Sequence, residues 1–360
     1  VAIDGLLLRK RWSRAIVDIA PLLLITAAGM VVARVAQTVA VFQHVPLWQR
    51  PLIVGDSLTF YLGKLAWPAT LSPDYGRTPT VALADPWVYV RWLVPAAIAA
   101  ALLVWHRRVP WLAAAFALFV IGVAPVSGIA TFQMQAISTV TDHYLYFSVL
   151  GLAVALTWVV SRWPRQWVTA TACALLAALA ARSFVQTGIW RDAFALFEGT
   201  IRAHPRSTMA RLNLVVCYLT KLTPEPEVAA RYADEAYAIA PDDIIVLINY
   251  GVTRMAAGEL DKAPAAFERA WQNAKSLDAA PKLLSDITKS AFETFRATTY
   301  HDEVVKWAER RLELEPGDAN ALVALGDARQ AIAATRPTTG TTTGAPAPGP
   351  ASRRSPAAHR

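Results

Sequence analysis

Long apolar runs occupy the first half of the chain, and periodically spaced apolar positions occupy the second half. Five runs are apolar over roughly the 17 to 25 residues that a helix needs to cross a bilayer. They predict membrane-spanning helices at about Ala15 to Ala33, Val88 to Trp105, Val109 to Pro125, Tyr144 to Ser161 and Trp167 to Arg182.

A sixth apolar run, Leu52 to Trp67, is shorter and contains Asp56 and Lys64. Its apolar positions recur at helical spacing, which predicts an amphipathic helix lying in the membrane interface or re-entrant beside it. If this run does not span, the basic clusters near residues 9–14, 107–108 and 162–165 all fall on one side, which the positive-inside rule assigns to the cytoplasm. The loops around residues 67–79 and 126–143, and everything after Arg182, are then predicted to be extracytoplasmic.

From about residue 184, amphipathic helical patterns are interrupted by turns at regular distances. Equivalent turn positions, separated by 36, 34 and 41 residues, are Pro205, Pro241, Lys275 and Pro316. A period near 34 residues is typical of tetratricopeptide repeats (TPRs), in which helical pairs stack into a solenoid. We expect about three pairs, preceded by a lone helix opening at Trp190 and closed by a capping helix over residues 320–334.

The best-defined repeat contains two glycines and a proline with separate expected effects. Gly251 is predicted to let two helices approach closely, and Gly258 to form the turn between them. Pro264, inside a second helix, is predicted to bend or loosen its unit. Stacked repeats leave a concave groove for an extended peptide or partner protein. Asn213 and Asn249 are exposed polar positions that suit either a ligand contact or an ordinary helix surface.

Composition agrees with a membrane part joined to a soluble part. The 360 residues are 55% hydrophobic, and the mean hydropathy is +0.33. The net charge of +8 arises beside the apolar runs and in the tail, without a basic helix interleaved with aromatics, so no nucleic-acid partner is expected. Cys173 and Cys217 lie far apart and support neither a disulfide framework nor a metal site.

The predicted fold class is therefore all-α. A polytopic membrane helix bundle is expected over residues 1–183, a TPR α-solenoid over residues 184–335, and a disordered tail rich in Thr, Pro and Gly over residues 336–360.

The chain contains no phosphate-binding glycine loop, dinucleotide fingerprint, nucleophile elbow or pair of histidines at metal-ligand spacing. Any chemistry is therefore expected in two outer loops, LAWPATLSPDYGRTP and QMQAISTVTDHYLYF. The candidate substrate-binding residues in these loops are Asp74, Tyr75, Arg77, Asp142, His143, Tyr144 and Tyr146.

A cation and hydrogen-bond donors at headgroup depth suit the phosphate of a lipid carrier, because such a phosphate needs charge-assisted partners. Arg77 and His143 are the expected cations, and Tyr144 and Tyr146 could donate hydrogen bonds to a sugar or stack on it. Structural roles stay open. Tyrosines at span boundaries anchor helices in the interface, and the two loop aspartates could cap a helix or stabilise a turn.

Three segments carry a resemblance to a known family: RPLIVGDSLTFYLGKLAWPATLSPDYGRTP, PVSGIATFQMQAISTVTDHYLYFSVLG and WRDAFALFEGTIRAHP. From about Leu6 to Thr335 the chain resembles bacterial relatives of the transmembrane-and-TPR protein O-mannosyltransferases, membrane glycosyltransferases of the GT-C fold. Its most specific parts are Leu-Ser-Pro-Asp-Tyr and Asp-x-Tyr-Leu-Tyr. Eukaryotic members usually read Asp-Arg-Tyr-Leu-Tyr-Leu-Pro, where this chain has His143 for Arg and Phe147-Ser148 for Leu-Pro.

The resemblance implies a protein of the bacterial inner membrane that transfers a sugar from a polyprenyl-phosphate donor to a polypeptide hydroxyl on the extracytoplasmic face. The TPRs would bind the acceptor, and no further cofactor is firmly implied. The family's general base is an acid in the first outer loop, which has no counterpart in this sequence. We therefore expect the chain to be the C-terminal part of such a transferase, inactive in isolation, with Asp74 as a fallback base.

Two other functions fit the sequence. One is a non-catalytic, membrane-anchored TPR scaffold for envelope protein assembly. The other is a lipid-linked glycan ligase or polymerase of the cell envelope.

Overall fold

The computed structural model describes residues 45–129, 133–163, 165–277, 279 and 281–335, with scattered positions between 17 and 32. About half of the predicted span Ala15 to Ala33 and the whole predicted tail 336–360 lie outside the described residues. Where the chain is described it is helical and contains no strand. The helices are α1 (Arg50–Ala66), α2 (Pro79–Ala84), α3 (Val88–Arg91), α4 (Leu93–Trp105), α5 (Pro110–Val123), α6 (Val149–Arg162), α7 (Gln166–Thr187), α8 (Ala193–Ala203), α9 (Thr208–Leu219), α10 (Pro226–Ile239), α11 (Ile244–Ala256), α12 (Lys262–Ser276), α13 (Pro281–Phe295), α14 (His301–Leu314) and α15 (Ala319–Thr335).

Among the described residues, two helices are long and apolar enough to cross a membrane. The first, Val88–Trp105, consists of α3 and α4 taken together and has a mean hydropathy of 1.8. The second, Gln166–Trp190, consists of α7 and the 3₁₀ turn that follows it and has a mean hydropathy of 1.7. Only 17% and 6% of these segments are buried within the protein, whereas a core helix of a soluble protein is mostly buried. Both coincide with predicted spans.

The predicted spans Val109 to Pro125 and Tyr144 to Ser161 correspond to shorter apolar helices, α5 and α6, of 14 residues each. These two helices pack against each other. Gly151 of α6 lies so close to α5 that an added Cβ would stand 2.3 Å from the carbonyl oxygen of Ala115. The five-span bundle therefore stays a prediction, while the helical nature of its segments agrees with the sequence.

The predicted amphipathic helix is α1, which packs on α3 and α4. Asp56 and Tyr61 are fully buried on its inner face. The Tyr61 hydroxyl accepts a hydrogen bond from the Thr141 amide at 3.0 Å and donates to the Thr141 carbonyl at 3.2 Å. One side chain of α1 thus fixes the backbone that leads directly into the second outer loop.

The second half contains the predicted helical pairs: α9 with α10, α11 with α12, and α13 with α14, preceded by α8 and closed by α15. The pairs begin at Thr208, Ile244 and Pro281, and α15 begins at Ala319, which gives intervals of 36, 37 and 38 residues. The repeat is therefore more even than the predicted turns suggested. Lys275, predicted to lie in a turn, instead belongs to the last turn of α12.

The glycines of the best-defined repeat have their predicted roles. A Cβ on Gly251 would stand 2.7 Å from the ring of Phe267, so only glycine lets α11 and α12 pack this closely. Gly258 has a φ of 78° in the turn between them, a conformation that favours glycine. Pro264, predicted to bend or loosen its unit, lies in the first turn of α12, where its missing N–H costs no helical hydrogen bond, and α12 continues past it to Ser276.

The two halves meet where the loop between α1 and α2 packs on the turn between α8 and α9. Gly76 has a φ of 61°, and an added Cβ would stand 2.8 Å from the carbonyl carbon of Arg206. Beside it, the Ser72 hydroxyl lies 3.3 Å from the hydroxyl of Thr200 on α8. The first candidate loop is therefore in direct contact with the start of the TPRs.

Candidate functional site

The two outer loops singled out in the sequence meet at the carboxylate of Asp142. The Tyr75 hydroxyl donates to Asp142 Oδ1 at 2.6 Å, and the Ser72 amide donates to Asp142 Oδ2 at 2.6 Å. Asp142 is the first residue of a short 3₁₀ helix whose N-cap position is Thr141. The sequence had left open a capping role for Asp142, but its carboxylate joins the two loops.

The environment of Asp142 favours the protonated carboxyl. Burial raises the pKa of Asp142 above its ordinary value, while the hydrogen bonds from Tyr75 and Ser72 act in the opposite direction. Burial also raises the pKa of Tyr75, so its phenol remains protonated and keeps donating to Asp142. The pair is a half-buried hydrogen-bonded unit at the centre of the site.

Asp74 lies in the contact between the halves and is 1% exposed. Its Oδ1 accepts a hydrogen bond from the Gly76 amide at 3.0 Å, and its Oδ2 accepts one from the Ser207 hydroxyl. Ser207 in turn caps α9 by accepting from the Ala210 amide at 3.0 Å. The Asp74 carboxylate, expected as a fallback base, is thus buried and accepts a hydrogen bond on each oxygen. This arrangement favours a structural role.

Arg77, the cation expected to bind phosphate, is paired with the fully buried Asp56. Asp56 also accepts from Arg91 at 2.8 Å, and Arg91 reaches Asp85 at 2.8 Å. A buried carboxylate is costly unless it is paired, so these arginines compensate Asp56. A phosphate would have to compete with this network for Arg77.

In the second loop His143 and Tyr146 are exposed, whereas Tyr144 is partly buried against the apolar cluster that contains Tyr61. His143 is exposed, its Nδ1 lies 3.1 Å from the Thr141 hydroxyl, and its ring lies 4.4 Å edge-on from that of Tyr144. Tyr146 is 78% exposed and stands beside Phe147, which is 82% exposed. His143 is therefore open to a ligand, and the exposed pair after it suits an interfacial anchor.

Two residues that the sequence did not assign to the site surround Tyr75. Lys64 of α1 donates to the Ala69 carbonyl at 2.6 Å, and its ammonium lies 4.7 Å from the centre of the Tyr75 ring. The His204 ring, at the first TPR turn, lies 4.5 Å from the Tyr75 ring. Burial lowers the pKa of both Lys64 and His204. Lys64 could have been identified as a site residue from the sequence, because it is a cation within an apolar helix. Nothing in the sequence near His204 indicated a contact with the loop that contains Tyr75.

A cavity of about 440 Å³ opens at this junction. Its walls come from the Tyr75–Arg77 segment, the end of α2, and the turn holding His204 and Arg206. The cavity belongs to both halves, and each half supplies polar groups to it. Among the described residues, no cluster of three His, Cys, Asp or Glu side chains is arranged to hold a metal ion.

Asn213 and Asn249 occupy corresponding positions on the first helices of two repeats. Each side-chain amide donates to the carbonyl four residues earlier, Asn213 to Met209 at 2.9 Å and Asn249 to Ile245 at 2.8 Å. These bonds orient the amides along their helices.

Comparison with known proteins supports the repeat assignment. Residues 179–244 match the tetratricopeptide repeat family. No curated protein and no solved structure matches the chain. The matched segment covers α8, α9 and α10, so the second half of the chain contains tetratricopeptide repeats, modules that generally bind protein partners.

Proposed function

We propose that this chain is a membrane-anchored TPR protein that holds a polypeptide beside the outer surface of the membrane. The observation that carries the proposal is the fixed junction between the halves, in which Asp74 accepts from Ser207 and Gly76 packs on Arg206. The apolar helices of the first half supply the anchor, and the junction sets the orientation of the repeats relative to it. A groove held in this way keeps its occupant at a defined place beside the outer loops.

Membrane extraction and groove-directed cross-linking test this function together. We expect the chain to stay in the membrane fraction after an alkaline carbonate wash. A photo-reactive residue at Asn249 should cross-link a polypeptide in intact cells, and the same residue at Lys275, on the second helix of the pair, should not. Release of the chain into the soluble fraction, or equal cross-linking at both positions, would contradict the proposal.

The meeting of the two outer loops favours a second candidate function, related to glycosyl transfer from a polyprenyl-phosphate sugar to a polypeptide. Tyr75 and Asp142 come from the two segments that carry the family resemblance, and their side chains are hydrogen-bonded. His143 is exposed, and its ring can donate a hydrogen bond to a lipid phosphate, whereas Arg77 is paired with Asp56. Transfer also needs a base, whose contribution is typically about 10² to 10⁴ in rate. Since Asp74 is enclosed, we propose that the chain binds such a donor but does not transfer the sugar.

Reconstitution in lipid with polyprenyl-phosphate mannose separates the two functions. We expect donor binding without transfer to an acceptor peptide. His143→Ala should weaken binding by about 1.5 to 3 kcal/mol, the contribution of a charge-assisted hydrogen bond. The control is His106→Ala, an exposed histidine on the predicted cytoplasmic side. Absence of donor binding would leave the scaffold function alone, and robust transfer that disappears in Asp74→Asn would identify Asp74 as the base after all.

A further inference from the structure

A second cavity, of about 570 Å³, lies between the first helices of two neighbouring repeats, α11 and α13. One wall is apolar and is formed by Val252, Met255 and Leu260. The facing wall is polar and includes Lys289 and Glu293 of α13. Methionine adapts its shape to many apolar partners, so the first wall suits a large apolar side chain of variable form.

The two charged residues of the polar wall differ in whether they form an ion pair. Glu293 is paired with Arg296 at 2.8 Å. Lys289 is exposed and, among the described residues, has no carboxylate within the 4.0 Å that defines an ion pair. The cavity therefore presents an ammonium without an ion-pair partner beside an apolar surface. Such a wall favours a ligand that carries an acidic group next to an apolar one.

The cavity lies at the end of a row of residues on one face of α11. Asn249, Val252 and Ala256 are spaced by three and four residues and therefore share one helix face. Packed helices lie about 8 to 10 Å apart, and an extended polypeptide rises about 3.3 Å per residue. A polypeptide crossing this face therefore advances about three residues from one helix axis to the next. Because the cavity lies between the two helices, an apolar residue and an acid one or two positions away fit within it.

We propose that this cavity gives the TPR groove its sequence preference, by selecting extended polypeptide segments with a large apolar residue and an Asp or Glu within two positions of it. The inference rests on the proposed polypeptide-binding function and adds the chemistry of the segment that is bound. Val252 and Met255 contact the apolar side chain, and Lys289 pairs with the acid.

Selection from a random library tests the preference directly. The probe is a library of ten-residue peptides displayed on phage, selected on the purified full chain in detergent and, in parallel, on Lys289→Glu, Met255→Ser and the control Lys275→Glu. Wild type and Lys275→Glu should enrich the apolar-acidic combination. Lys289→Glu should weaken binding of a selected acidic peptide about fivefold and favour its basic counterpart. Met255→Ser should weaken binding about tenfold for every selected peptide. Circular dichroism of each variant verifies that the helices are retained.

Three outcomes would overturn the inference. The first is enrichment with no apolar-acidic preference, and the second is the same preference in Lys289→Glu. The third is the absence of any enriched peptide, since the cavity then does not recognise extended segments. In each case cross-linking at Asn249 remains an independent readout, so failure of the sequence preference is distinguishable from failure of the polypeptide-binding function.

Discussion

The hydroxyl of Ser207, at the start of the first TPR pair, donates a hydrogen bond to the buried carboxylate of Asp74, 133 residues earlier in the chain. The same serine oxygen accepts from the Ala210 amide and so caps α9. One side chain therefore both begins the repeats and attaches them to the first outer loop.

Ser207→Ala should lower the free energy of unfolding by about 1 to 3 kcal/mol. The substitution leaves one oxygen of a buried carboxylate without a donor and removes an N-cap. The measurement is the thermal midpoint of the purified chain in detergent. Ser276→Ala is the control, because Ser276 is exposed and bonds only to its own helix. Equal midpoints for the two variants would show that the Asp74 contact contributes little.

Two glycine substitutions should change stability in opposite directions. Gly251→Ala places a Cβ 2.7 Å from the Phe267 ring and should destabilise the repeats by about 1 to 3 kcal/mol through overpacking. Gly326→Ala, in α15 with no atom within 4 Å of the new Cβ, should stabilise by about 0.5 to 1 kcal/mol, since alanine loses less conformational freedom in a helix. Thermal midpoints of the two variants test the pair. A neutral Gly251→Ala would mean that Phe267 can move away.

Asp142 should make stability depend on pH. Because burial raises the pKa of Asp142 in the folded chain, the folded state binds the proton more tightly than the unfolded state does. The stabilisation from this group is fully present below the unfolded pKa of about 3.9 and is lost as the pH rises through the folded pKa. Wild type should therefore lose stability relative to Asp142→Asn as the pH rises from about 4. A constant difference in thermal midpoint across this range would contradict a raised pKa.

The basic loops predict the sidedness of the chain. A reporter that is active only in the cytoplasm should work when fused after Arg108 or Arg165 and fail when fused after Thr335. An active reporter after Thr335 would place the repeats in the cytoplasm and separate the groove from the outer loops.

The helical repeats could be predicted because their signals are local. The period of the turns located the three pairs, and the roles of Gly251 and Gly258 followed from their neighbours in one repeat. Lys275 was misplaced because a short polar stretch at a helix end resembles a turn. Pro264 was misjudged because the pattern did not show how near it lies to the start of α12.

The site was only partly predictable, since it depends on contacts between distant segments. The two outer loops were identified, and they do meet, through Tyr75 and Asp142. Nothing in the sequence near Ser207 or His204 indicated their contacts with the first loop, because these contacts form only when the repeats pack against it. Asp56 did carry such a signal, because an acid on an otherwise apolar helix face needs a cation, and Arg77 and Arg91 both pair with it.

Gly76 and Arg206 touch through their main chains, with no side chain between them. Side chains can rotate to absorb a small displacement, but main-chain atoms in van der Waals contact cannot. If the repeats hold a polypeptide as proposed, a force pulling on it reaches the loop beside Tyr75 with little loss, and the junction acts as a stiff mechanical joint between the two halves of the chain.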